Sequence, residues 1–108
     1  NLLLNNDLDA IFAVNEIFAV TAIKVSTRLG KSVPNDVSVI GFTDGIISKY
    51  SSPSITTVSQ NGVKMGEKAA RMLLEKLEIE EENYEEQYKT EVIETELVER
   101  ESTKYFQK

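Results

Sequence analysis

A chain of 108 residues, 41% hydrophobic and 28% charged, fits one small globular domain or one lobe of a larger one. It has neither cysteine nor histidine, which excludes a disulfide framework, thiolate or imidazole metal sites, and any triad built on histidine. The formal net charge of -6 repels a phosphate backbone, so a DNA-reading module is not expected within these residues.

Asp9–Val14 (DAIFAV) is a short, almost wholly apolar run, the pattern of a buried strand. Asn15 then offers a side-chain oxygen to a helix start, and Glu16 places a negative charge in the first turn. From Ile17 to Leu29 the apolar residues recur at helical spacing; Gly30 is the expected C-terminal cap, and Pro34 prevents continuation. Asp36–Phe42 (DVSVIGF) is a second, β-branched strand. Thr43–Pro53 is rich in turn residues, with Ile46, Ile47 and Tyr50 spaced along one face of a short helix. Ile55–Val58 is a third strand.

Gly62–Leu77 has the clearest helical pattern. Gly66, Ala69, Ala70, Leu73 and Leu77 form its expected packing face, and Lys64, Glu67, Lys68, Arg71 and Glu75 its wet face. The packing face must leave water, either on the chain's own sheet or by exchange with a second copy. Glu78–Glu86 is expected to be a solvated loop or frayed helix end rather than a cation site, because it lacks the spacing of a calcium loop. Lys89–Arg100 is expected to be a strand covered on both faces for part of its length. This alternation indicates an α/β fold in three layers around a mainly parallel sheet.

No apolar run approaches the roughly 20 residues of a membrane span, and Asn1–Leu8 has no signal-peptide pattern. The chain opens without an initiator methionine and reads as a fragment. Nothing pairs a nucleophile with a base, so neither enzyme chemistry nor a cofactor is expected.

Five blocks in order, Asp9–Glu16 (DAIFAVNE), Val33–Asp44 (VPNDVSVIGFTD), Ser52–Gln60 (SPSITTVSQ), Met65–Leu74 (MGEKAARMLL) and Glu96–Ser102 (ELVERES), are together similar to the regulatory domain of the lactose/galactose-repressor (LacI/GalR) family. The resemblance implies part of a type I periplasmic-binding-protein-like fold, in which two α/β lobes flank an effector cleft. It also implies a cytoplasmic homodimer, free of the membrane, that binds a small effector, a sugar or related metabolite. Operator DNA would be contacted only through a helix-turn-helix head absent from these residues. Carried onto this chain, the pattern assigns residues 1–58 to the C-terminal lobe, 59–88 to a crossing and a helix of the N-terminal lobe, and 89–108 to a returning strand and tail. A periplasmic sugar-binding protein of a transport system is the alternative with the same fold; the SPSITTV and ELVERES blocks favour the repressor.

The resemblance also marks candidate residues. Asn15 would contact the effector, its plain reading being a helix cap, and the two can coexist. Thr43 stands where family members commonly carry an aspartate that binds a sugar or nucleoside. Asp44 cannot take over directly, because neighbours on an extended chain point to opposite sides; it is expected to cap the short helix that follows. Gln60 would lie at the crossing between lobes, facing either a ligand or the other lobe. Val20, Lys24, Ile46, Ile47 and Tyr50 match the family's dimer surface, the alternative being ordinary core packing.

Overall fold

Four strands and three helices follow one another as β1 (Ala10–Ala13), α1 (Glu16–Arg28), β2 (Ser38–Phe42), α2 (Ile46–Tyr50), β3 (Thr56–Ser59), α3 (Gly62–Glu78) and β4 (Glu96–Val98) in a computed structural model that describes residues 7–78 and 89–104. The acidic stretch beyond Glu78 lies outside the described residues. The described residues fall into two units, one from 7–59 and 96–104, the other from 60–78 and 89–95.

In the first unit the strands lie in the order β1-β2-β3-β4. The first three are parallel, with Ile11 opposite Val39, Ala13 opposite Gly41, and Gly41 opposite Thr57. Parallel neighbours need a crossover, supplied by α1 between β1 and β2 and by the α2 segment between β2 and β3. β4 adds to β3 antiparallel, so the sheet is mainly parallel, as expected.

Local signals set the ends of α1. The Asn15 side chain accepts a hydrogen bond from the Phe18 N–H at 2.8 Å. At the other end Gly30 adopts φ +79°, its N–H donating to Thr27 O and the Lys31 N–H to Ser26 O, which closes the helix with a left-handed turn.

Alternation along the strands turns Ala13, Val39, Gly41 and Ile55 towards α1, where Ala19 and Ile23 complete a core of small and β-branched side chains. Gly41 permits the approach: a Cβ there would stand 3.3 Å from the Ala19 Cβ. β1 departs from the buried strand expected of it. It is an edge strand of this sheet, with Ala13 buried and Phe12 61% exposed. A strand with one neighbour and one helix above it buries only alternate residues, however apolar the run.

In the second unit, Met65, Ala69 and Met72 of α3 line an open groove of about 360 Å³ with Glu91 and Ile93. Lys68 Nζ lies 3.7 Å from Glu91 Oε1, and Asn61 Nδ2 donates to Glu94 O at 2.6 Å. The expected packing face is engaged only at Ala69: Leu73 and Leu77 are exposed, a Cβ on Gly66 would touch nothing, and α3 buries no residue. Among the described residues of this unit the partner of α3 is the stretch 89–95, which cannot cover a helix of seventeen residues. That stretch also falls short of the expected strand. Regular pairing is confined to Glu96–Val98, and Val92 and Leu97 are exposed rather than covered.

Candidate functional site

Asn15 and Thr43 occupy equivalent places, each two residues beyond the paired positions Ala13 and Gly41. Both therefore stand at the carboxyl ends of adjacent parallel strands, where open α/β sheets bind their ligands. The cap at α1 engages the Asn15 amide through its oxygen, which accepts from Phe18 N–H, and the amide nitrogen remains a donor group of an exposed residue. Asn15 thus serves as the helix cap and still presents a donor.

Thr43 is exposed and adopts φ +79°, a left-handed conformation that a β-branched residue rarely takes. Such backbone costs on the order of 1–3 kcal/mol and persists only when its surroundings over-determine it. Three anchors do so here. The Thr43 N–H donates to Val58 O at 3.0 Å. Asp44 Oδ1 lies 2.7 Å from Arg100 Nη1 and accepts from Thr57 Oγ1 at 2.9 Å. The Gly45 N–H donates to Glu16 Oε2 at 3.1 Å.

Asp44 does not cap the short helix as expected. The cap position of α2 is Gly45, with no side-chain hydrogen bond of its own. Asp44 is drawn away by Arg100, a charge-assisted partner stronger than a local backbone N–H. That hydrogen bond, aided by Thr57, holds the Asp44 carboxyl below its ordinary pKa against the opposing effect of burial. The N–H groups at the start of α2 are instead received by Glu16, whose Oε2 also accepts from Ser48 N at 2.8 Å and Ser48 Oγ at 2.7 Å.

Arg100 and Ser102 are the structural residues that pattern reading misses. Arg100 Nη1 donates to Ile55 O at 2.8 Å as well as meeting Asp44, so it ties the loop after β2 to β3. Ser102 is fully buried: its Oγ donates to Val39 O at 2.5 Å and accepts from Thr56 N at 2.8 Å. Both lie in the ELVERES block, the one signal in the sequence that pointed towards them.

Gln60, half-buried, belongs to the second unit, whereas Asn15, Thr43 and Asp44 share the first. Of the five dimer-surface candidates, Val20 is half-buried and packs against the core, while Lys24, Ile46, Ile47 and Tyr50 are exposed. The Lys49 ammonium sits 5.4 Å from the centre of the Tyr50 ring. Among the described residues no group of three or more acidic side chains is placed to hold a metal ion, and no helix is long and apolar enough to cross a membrane.

Residues 3–103 match the family described as periplasmic binding protein-like domain. The HTH-type transcriptional regulator MalR of Clostridium butyricum is 43% identical over 77 residues, which are 71% of this chain and 23% of the relative. A putative LacI-family transcriptional regulator from Sanguibacter keddieii has a similar solved structure, with a TM-score of 0.83 and 32% identity over 94% of this chain and 36% of that one. A LacI family transcriptional regulator from Enterococcus faecium, solved with bound ribose, gives a TM-score of 0.81 at 27% identity, again over 94% and 36% of the two chains. The chain spans about a fifth to a quarter of the length of the curated relatives it matches.

Proposed function

The chain belongs to the periplasmic binding protein-like domain family, in the form shared with LacI-family transcriptional regulators, and from that premise we propose that it is the ligand-sensing and dimerising portion of a DNA-binding regulator that responds to a small carbohydrate. The observation that carries the reading is the pair of polar residues, Asn15 and Thr43, at matched positions past two parallel strands, in a fold whose similar structure from Enterococcus faecium holds ribose. Asn15 donates to a hydroxyl, and Thr43 supplies a neutral contact where a carboxylate is common in the family. In this reading residues 1–58 and the returning strand belong to the C-terminal lobe and α3 to the N-terminal lobe. DNA is contacted by a helix-turn-helix head outside these residues, in the cytoplasm. A second copy meets the face that carries Lys24, Ile46, Ile47 and Tyr50, with Val20 at its inner margin. The named relatives are regulators, which favours this reading over a transport-system binding protein and over an enzyme.

The test is calorimetric titration of the intact protein with ribose and with cellobiose, beside an Asn15→Ala variant. Loss of a buried hydrogen bond costs about 1 kcal/mol, roughly a fivefold weaker affinity. Unchanged affinity in the variant removes Asn15 from the site, and a parent that binds no carbohydrate at all overturns the ligand class.

A further inference from the structure

α2 is built inside out. Its large side chains Ile46, Ile47 and Tyr50 are 78%, 42% and 74% exposed, and the residue it buries is Ser48. Five residues do not sustain a helix in water, and this one gains little from covering apolar surface. One carboxylate holds its start, while Ser48 O accepts from the Ile55 N–H at 2.8 Å. Glu16 Oε2 accepts from the Gly45 N–H, the Ser48 N–H and the Ser48 hydroxyl, three donors at the start of α2. Gly45 lies so close to that carboxylate that any Cβ at position 45 would collide with it. Glu16 is itself the first residue of α1, next to the Asn15 cap, so the loops after β1 and β2 are joined through a single side chain.

We propose that Glu16 is a positioning residue for self-association, latching α2 so that Ile46, Ile47 and Tyr50 stand as a fixed surface for a second copy of this chain. The inference rests on the dimer face described under the proposed function and adds the residue that sets it. Charge favours a second copy as the occupant. Two chains of net charge -6 repel each other over most of their surfaces, whereas α2 carries Lys49 and no acid, and Lys24 and Arg28 lie on α1. An outward apolar surface on a helix without acidic side chains is where two acidic copies approach at least cost.

Sedimentation equilibrium of the intact protein at micromolar concentration is the test, on the parent, Glu16→Ala, Glu16→Gln and Tyr50→Ala. The expected result is a dimeric parent, dissociation about tenfold easier in Glu16→Ala, and partial recovery in Glu16→Gln, which keeps an acceptor oxygen. In the Tyr50→Ala background the Glu16→Ala change should have little further effect, because the surface it positions is already damaged; a purely structural role elsewhere would leave the two effects additive. Should Glu16→Ala fail to fold by circular dichroism, Gly45→Ala replaces it, since it displaces the carboxylate without removing it and should weaken the dimer likewise. A dimeric parent whose Glu16 and Gly45 variants associate within twofold of it overturns the proposal while leaving the interface standing. A monomeric parent overturns the interface reading and the proposal with it.

Discussion

Replacing Ser102 by alanine removes a single oxygen and deprives two backbone groups of a partner. The Ser102 hydroxyl bridges the Val39 carbonyl of β2, at 2.5 Å, and the Thr56 N–H of β3, at 2.8 Å, in a site with no solvent exposure. Water cannot replace the missing oxygen without opening the sheet, so each group carries a desolvation cost of about 1–3 kcal/mol. The neighbouring backbone contacts, Val39 N to Ser102 O and Ser102 N to Ser54 O, both at 2.9 Å, hold the chain in place and prevent it from relaxing away. A destabilisation of about 2–4 kcal/mol is therefore expected for Ser102→Ala, large for a change of one atom. Urea unfolding of the intact protein, followed by circular dichroism, should show its midpoint lowered by on the order of 1 M with an unchanged slope. Ser102→Thr tests the other half of the argument, because it keeps the hydroxyl but forces a methyl group into a closed site. A Ser102→Ala variant within about 0.5 kcal/mol of the parent would refute the reasoning, since the bridge would then contribute no more than a surface contact.

Arg100→Ala should cost about 2 kcal/mol by equilibrium unfolding, because it strands the half-buried Asp44 carboxylate and frees Ile55 O; a double-mutant cycle with Asp44→Asn should show coupling, and strict additivity would count against the pair. Gly41→Ala should destabilise by about 1–3 kcal/mol through its contact with Ala19, which α1 can avoid only by lifting from the sheet, and an unchanged thermal midpoint would show that the helix gives way freely. Acid should weaken the fold. The carboxyls of Asp44 (held down chiefly by Arg100), Asp36 (by the Ser32 N–H and hydroxyl) and Glu101 (by the Ser54 N–H and hydroxyl) all have lowered pKa values. A lowered folded-state value stabilises above the ordinary carboxylate range, and that stability is lost as the pH falls below about 4 towards the depressed values. Urea midpoints measured between pH 7 and pH 3 should fall, and fall less in Asp44→Asn; a flat profile would contradict the assignment.

What the sequence determined by itself is the part of the molecule encoded within a few residues. Asn15 and Gly30 set the ends of α1 because a cap and a left-handed turn are chosen by the residue that makes them. The β-branched DVSVIGF run forms β2, and Gly62–Leu77 forms α3, because apolar periodicity records the repeat of the local backbone. The five ordered blocks carried the family as well, since their separations survive even where each block alone is common. Tertiary structure decided the rest. Whether β1 is buried depends on how many elements flank it, which its own apolar letters cannot express, and Phe12 is left open. Periodicity assigned α3 an apolar face, yet the groove takes only Ala69 from it and adds Met65 and Met72, because the segment that meets the helix comes from residues 89–95. Glu16 reads as a first-turn acid and Asp44 as a helix cap until Ser48 and Arg100 arrive from distant parts of the chain and claim them. Hydrogen bonds between residues so far apart leave no periodic trace, since a polar side chain's partner is chosen by which strands lie adjacent in the sheet.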